Sequence, residues 1–394
     1  MENHGLNVID LFAGAGGLSL GFEEMGFNVE LAIEKDAWAV NTYLANHRNK
    51  NILEADITML SDDYFNIYRG KVSVVVGGPP CQGFSIAASN RRKSDDERNE
   101  LYQDFLRAVN AIQPNVVLIE NVKEIIKFKL SNGVSILNDI LRFLDECGYT
   151  SDYAVINCRN YGVPQDRKRF FLIAIKKDKL KTEFKLEKML KRFQQHEITF
   201  NEAVSDLPIV KARQYPEDTV LQYAMLPRNA FQACLRGENK ELHNHIPMRH
   251  TSKTVKKFEF ILEKRGAELP EEFLPRVRSN LELVSSSTYG QNSRIIDGNK
   301  VSPTITASFY SSFVHPSQPR NITVREAARI QTFPDSFVFK GKKTTLSKKL
   351  LARKGIVQEL HLDQFNQVGN AVPPLLARHL AEICIELLTE GWVK

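Results

Sequence analysis

The sequence predicts an α/β protein in which a doubly wound, mostly parallel sheet carries a second, smaller and irregular domain. Short valine- and isoleucine-rich runs alternate with segments of helical apolar spacing through the first 178 residues, and the first run ends in a glycine-rich turn. After Lys176 the alternation fades, and Pro208, Pro216, Pro227, Pro247, Pro270 and Pro275 interrupt the chain. At 394 residues the chain exceeds what one hydrophobic core usually holds, which predicts two domains. We place the larger domain at residues 1–178 plus 358–394, the irregular one at 179–335, and a basic connector or insertion at 336–357.

The first predicted strand is Asn7-Val8-Ile9-Asp10-Leu11-Phe12, and Ala13-Gly14-Ala15-Gly16-Gly17 turns into a helix near Leu18. A glycine turn between first strand and first helix is where this fold class binds a nucleotide-like ligand. The dinucleotide fingerprint is not met, because Ser19 stands where a third glycine or alanine belongs. Asp10 would also repel a pyrophosphate, so a cationic or zwitterionic ligand fits better. The second strand ends at Glu34-Lys35-Asp36, about twenty residues past the turn, where an acid commonly receives ribose hydroxyls. A helix over 37–47 leads to a third strand ending at Asp56-Ile57. Asp56 suits either an adenine amino group or a helix N-cap.

The fourth strand, Val72 to Val76, stops at Gly77-Gly78-Pro79-Pro80-Cys81-Gln82-Gly83-Phe84-Ser85. Two prolines stiffen the backbone before Cys81, and flanking glycines permit close approach. That context presents a nucleophile rather than a core cysteine. The charged run Ser89 to Arg98, with Arg91, Arg92 and Arg98, reads as a loop able to close over substrate and touch phosphates. The strand Asn115 to Val122 ends in Glu120-Asn121, which a parallel sheet brings to the edge that bears Cys81. A carboxylate near a thiol makes an acid and nucleophile pair. A helix over 136–144 and strands at 153–157 and 170–175 follow, and Arg167 and Arg169 between them share one face of an extended segment.

In the irregular region, Ser285 to Arg294 carries side chains suited to base edges or phosphates, Arg294 among them. Thr323 and Glu326 predict a capping box opening a helix. Gln367 to Pro374 opens a last amphipathic helix.

Composition sets the remaining bounds. A net charge of +6 permits a polyanionic partner, and 42% hydrophobic residues are ordinary for a globular chain. Five scattered cysteines without Cys-x-x-Cys spacing suit a reducing compartment, and no metal site is expected. His243, His245 and His250 read as solvated or phosphate-facing. Neither a signal peptide nor a long apolar run is present, so a cytoplasmic protein is expected.

Taken together, these motifs resemble the bacterial DNA cytosine-5 methyltransferases nearly from end to end. The resemblance rests on Asp10-Leu11-Phe12-Ala13-Gly14-Ala15-Gly16-Gly17, Glu34-Lys35-Asp36, Asp56-Ile57, Gly78 to Ser85, Glu120-Asn121-Val122, Gln165 to Arg169, Arg325 to Arg329 and Gly369-Asn370-Ala371-Val372. It implies a Rossmann-like sheet that uses S-adenosylmethionine, releases S-adenosylhomocysteine and needs no metal. It implies that Cys81 adds to carbon 6 of a flipped cytosine, that Glu120 holds or protonates N3, and that Arg167 meets the base carbonyl with Arg169 in support. Phe12 would pack on adenine, Glu34 would bind ribose, and Asp56 with Ile57 would take the adenine amino group. Pro79, Asn370 and Val372 would complete the pocket. Lys35 stands where many relatives carry an aromatic residue. The irregular region would recognise the double-stranded DNA target, with Thr304-Ile305 matching a Thr-hydrophobic pair, and Gln82 and Ser85 would touch DNA beside the nucleophile. A restriction-modification role, paired with a cognate endonuclease and acting as a monomer, is implied as well. The same chemistry on transfer RNA, a silent DNA-binding protein and a cysteine hydrolase are the competing readings. The large middle region argues against the first, and the intact set Cys81, Glu120 and Arg167 against the second. The third lacks a histidine at a strand end.

Overall fold

The structure is a computed structural model of the chain. It describes residues 5–80, 101–130, 133–274, 276–277, 280–284, 293–345, 351, 354–356 and 360–390. The chain forms two compact units, residues 1–197 with 371–394, and residues 198–370.

The first unit is built on a sheet of seven strands: β1 (Asn7–Leu11), β2 (Asn28–Glu34), β3 (Ile52–Glu54), β4 (Val74–Gly77), β5 (Val116–Val122), β6 (Tyr149–Asn157) and β7 (Lys168–Lys176). Their order is β3-β2-β1-β4-β5-β7-β6. All pairs from β3 to β5 are parallel, and β7 runs antiparallel to both β5 and β6. Because side chains alternate along a strand, each central strand feeds two cores. Val8, Val74, Val76, Val116 and Leu118 enter one, with Leu18 and Phe22 of helix α1 (Gly17–Glu24) and Leu376, Leu380 and Ile383 of the C-terminal helix Pro374–Thr389. Ile9, Leu11, Val75, Val117 and Ile119 enter the other, with Phe105 and Val109 of the helix Leu101–Ile112 and Ile140 and Leu144 of the helix Ile136–Glu146. A sheet covered on both faces needs apolar residues at nearly every position, which is why its central strands, Val74–Gly77 and Val116–Val122, read as near-continuous apolar runs.

Two boundaries differ from the sequence reading. The first unit extends to Glu197 rather than 178, because Phe184, Leu186, Met189 and Leu190 bury in the core that holds the C-terminal helix. The second unit keeps its chain to Asn370. Within the stretch expected as a connector or insertion, Phe337 and Phe339 bury against Phe333 with ring centroids 4.7 and 5.2 Å away, and Lys343 donates to the Pro247 carbonyl at 3.2 Å.

The second unit has short helices and two-residue strands around buried charge. Thr323 caps the helix Val324–Ile330 with the expected capping box. Arg329 from that helix bonds Asp206 and Asp335, and Arg320 meets Glu326 through two bonds at 2.8 and 2.7 Å. Arg325 donates to the carbonyls of His243, Pro334 and Phe337. The histidine reading is corrected for His245: it is fully buried, bonded to Thr323 Oγ1 at 3.0 Å and the Pro208 carbonyl at 2.9 Å, and burial holds its pKa down at about 4.

Candidate active site

Strand register gathers the site residues of the first unit. Leu11 pairs with both Ile33 and Gly77, Gly77 with Ile119, and Glu34 with Glu54, so the ends of β1 to β5 form one edge. β7 enters from that edge because it runs the other way, which brings Arg169 opposite Val122.

At one end of the edge the chain makes an acidic cradle. Phe12 takes φ 63°, a left-handed backbone that costs a non-glycine residue roughly 1–2 kcal/mol, and so begins the turn abruptly. The turn is tied down by Ala13 N–H to the Ile33 carbonyl at 3.0 Å and by Gly14 N–H to Glu34 Oε2 at 2.9 Å. Glu34 Oε1 accepts from Asp36 N–H at 2.8 Å, so both carboxylate oxygens hold main chain. Burial raises the Glu34 pKa, against those N–H bonds. Nothing lies within 4 Å of where a Cβ on Gly14 would stand, so a ligand has access to the backbone there.

Asp56 Oδ1 caps the turn Ile57–Met59 through Thr58 N–H at 3.1 Å, and Lys35 reaches Oδ2 at 3.3 Å. Burial alone would lift the Asp56 pKa, but Thr58 and Lys35 bring it below the usual range. Ile57 is buried, whereas the Lys35 side chain is largely exposed. Val372 is buried with its carbonyl packed over Gly17.

Asp10 lies beneath the turn rather than at its surface. It is fully buried; Oδ2 accepts from Ser19 N–H at 3.1 Å and Ser19 Oγ at 2.6 Å, while Oδ1 has no hydrogen-bond partner. Burial pushes its pKa up to about 7. Glu34 and Asp56 make an edge that would repel phosphate and receive a cationic ligand, so these residues fit a sulfonium nucleoside, whereas the cofactor contact expected of Asp10 is corrected: it is buried behind the turn and holds Ser19.

Farther along the edge stand the carboxylate and the arginines. Glu120 Oε1 lies 3.2 Å from Arg169 Nε. Burial raises the Glu120 pKa, and Arg169 followed by Arg167 opposes that rise. Arg167 is buried, donates to the Ala371 carbonyl at 3.2 Å, and has its pKa drawn down to about 9 by burial and by Arg169. Arg169 rather than Arg167 therefore makes the direct ion pair with Glu120. Asn121 donates to the Pro79 carbonyl at 3.1 Å, tying β5 to the segment that leads to Cys81.

Cys81, Gln82, Ser85, Arg91, Arg92 and Arg98 lie outside the described residues. In the second unit, Asn370 is exposed at the end of the helix Gln364–Asn370, and Thr304 is half-buried just after the strand Ser302–Pro303. Arg294 lies 5.3 Å from the Phe313 ring centroid and lines a cavity of about 370 Å³ with Lys264, Ser293 and Ile261. Sequence reasoning missed Ser19, Tyr43, His47 and Glu23, which stand behind the glycine turn. The one available signal was Ser19 itself, seen only as a break in the dinucleotide pattern. No group of metal-ligating side chains is found among the described residues, and no helix among them is long and apolar enough to cross a membrane.

A seven-stranded sheet with one antiparallel strand, edged by an acidic cradle and a partly buried carboxylate–arginine pair, is the architecture of a methyltransferase. The crystal structure of a protein described as a DNA modification methyltransferase encoded within an E. coli prophage superposes with a TM-score of 0.71 at 27% identity, covering 97% of this chain and 99% of that one. The S. pombe Dnmt2 methyltransferase superposes with a TM-score of 0.58 at 17% identity, covering 98% of this chain and 99% of that one, a likeness of fold alone. The chain belongs to the C-5 cytosine-specific DNA methylases, whose family model matches residues 6–386. It is 40% identical to the type II methyltransferase M.DdeI of Desulfomicrobium norvegicum over 96% of this chain and 88% of that protein. It is 34% identical to M1.HphI of Haemophilus parahaemolyticus over 98% and 88%. The protein is a DNA cytosine-5 methyltransferase of the restriction-modification type.

Proposed function

We propose that the enzyme uses S-adenosylmethionine to methylate carbon 5 of a cytosine flipped out of a specific duplex sequence, through a Cys81 adduct at carbon 6, and so protects DNA from a cognate restriction enzyme. The observation that carries this reading is the partly buried Glu120–Arg169 ion pair, flanked by the buried Arg167 and tied through Asn121 to Pro79, two residues before Cys81.

Carbon 5 of cytosine is a weak nucleophile. Addition of the Cys81 thiolate at carbon 6 makes it enamine-like, provided that charge reaching N3 is met by a proton or a hydrogen bond. A largely desolvated carboxyl with a raised pKa suits that task, because it gives up a proton less readily than a solvated one. Arg169 keeps Glu120 oriented, and Arg167 supplies positive charge to the base carbonyl and to thiolate formation, since a free thiol with pKa of about 8.5 is mostly protonated near neutrality. The cofactor supplies an electrophilic methyl group on a sulfonium. Glu34, Asp56 and the open face of Gly14 would hold its ribose, its adenine and the approach to the turn, with Phe12, Gly16, Ile57, Pro79, Val372 and Asn370 around them. Loss of the proton from carbon 5 then expels Cys81 and restores the ring. The second unit would read the target sequence, with Arg294 and Thr304 among its contacts. Gln82, Ser85, Arg91, Arg92 and Arg98 would touch DNA around the nucleophile.

Transfer of labelled methyl from S-adenosylmethionine to duplex DNA, abolished in Cys81→Ser, is the expected result. Labelling of RNA in place of DNA would overturn the reading.

A further inference from the structure

Behind the glycine turn lies a buried polar chain that the catalytic reading leaves unused. Asp10 Oδ2 accepts from Ser19 Oγ at 2.6 Å, and Tyr43 OH donates to Ser19 Oγ at 3.1 Å. The Tyr43 ring stacks on His47 with centroids 3.8 Å apart and planes 17° off parallel. His47 Nδ1 lies 3.0 Å from Glu23 Oε2, and its Nε2 lies 3.4 Å from the Ala15 carbonyl in the turn. Asp10, Ser19, Glu23, Tyr43 and His47 are all buried.

The rings are seated directly under the turn. Gly16 has φ 90°, and a Cβ there would stand 2.1 Å from His47 Nε2 and 2.8 Å from Tyr43 Cδ2. Glycine at 16 therefore answers to these rings as well as to the backbone angle. Tyr43 and His47 sit at the end of the helix Ala37–Asn46, whose N-cap is Asp36, directly after Glu34 and Lys35. Glu34 in turn holds Gly14 N–H. The turn is thus held twice: by Glu34 at the end of β2, just before the helix, and by His47 at the helix's end. Two fixed ends set both the height of the turn and its distance from the acid at the end of β2.

We propose that His47 and Tyr43 are positioning residues for the cofactor turn, setting its affinity for the nucleoside ligand without taking part in methyl transfer. This rests on the reading that the turn and Glu34 bind S-adenosylmethionine. Pre-organisation of a binding loop acts on binding, because a loop that must be ordered by the ligand draws on the ligand's own affinity.

The test is calorimetric titration of the full chain with S-adenosylhomocysteine, paired with steady-state kinetics on duplex DNA. His47→Ala is expected to weaken binding at least tenfold and to raise KM for S-adenosylmethionine in parallel, while kcat at saturating cofactor stays within twofold. Tyr43→Phe, which removes one hydroxyl and keeps the stacked ring, is expected to weaken binding about threefold, and it carries the test if His47→Ala does not fold. Unchanged affinity in the folded variants, or a fall in kcat with affinity intact, would overturn the proposal alone. Failure of the wild-type chain to bind S-adenosylhomocysteine would overturn the cofactor reading and this proposal with it.

Discussion

The two units solve the problem of holding functional side chains in opposite ways. The first uses apolar strands packed on both faces, so the charged residues at its carboxyl edge stand on a rigid floor that asks nothing of them. The first also buries a few ionisable groups, Asp10, Glu23 and Arg167 among them, but the second is built around buried charge: Arg320, Arg325 and Arg329 are among its largest fully buried side chains, and Glu326, Asp206 and Asp335 are buried beside them. Apolar packing tolerates substitution in proportion to volume, whereas a buried ion network fails when one partner is lost. The difference should therefore appear in how each unit breaks.

The largest expected effect lies at the first unit's edge. Glu120→Gln removes the titrating group but keeps the shape, and kcat is expected to fall by roughly 10²–10⁴ with little change in stability. Full activity in that variant would remove Glu120 from the mechanism. In the second unit, Arg329→Met leaves Asp206 buried without its cation and Asp335 with Arg325 alone, 3.9 Å away, and a loss of about 3–5 kcal/mol is expected in urea unfolding. A loss below about 1 kcal/mol would show that the network is not what holds this unit.

The second unit should also lose more in mild acid than the first, where the one histidine held down at about 4 by burial, His379, is offset by Asp10. Burial holds the pKa of His245 and His315 down at about 4, with Glu326 attracting and Arg320 opposing their protonated forms. Both lie below the unfolded value of about 6.5, so the stability they confer is complete above that pH and is lost as pH falls towards 4. Each should weaken the second unit by about 1 kcal/mol between pH 7.5 and 5.5. Asp10 has the reverse sign: its pKa is raised to about 7, so its contribution is complete below the unfolded value of about 3.9 and is lost as pH rises through 7. Pulse proteolysis at pH 7.5 and 5.5, with cut sites mapped by mass spectrometry, should show the second unit losing protection first as pH falls. Equal loss in both would break the comparison. The smallest effect belongs to Lys35→Met, which removes an exposed ion pair with Asp56 and should cost less than about 1 kcal/mol in thermal unfolding.

Legibility in the sequence follows the same division. Strands such as Val74–Gly77 and Val116–Val122 announce themselves because burial on both faces demands continuous apolar residues. Glu34 and Glu120 were found because strand ends are where such a sheet places its chemistry. The antiparallel course of β7 carries no periodic signal, and with it the sequence left open which arginine pairs with Glu120. Of the two parts expected of Asp56, the N-cap is seen, since one oxygen caps Thr58, while the other oxygen meets Lys35. The second unit stayed mostly unread because its order comes from Arg329, Asp206 and Asp335, residues far apart in sequence whose charge ordinarily marks a surface. Only the local capping box of Thr323 and Glu326 could be seen. His245 was misjudged for the same reason, being polar by type and buried by context.

The most direct test of the central claim is to incubate the enzyme with S-adenosylmethionine and unmethylated duplex DNA of mixed sequence, then map cytosines by bisulfite sequencing. The account predicts protection at one cytosine within one short recurring motif, absent with Cys81→Ser. Binding of S-adenosylhomocysteine without any protected cytosine, or protection that survives Cys81→Ser, would contradict it.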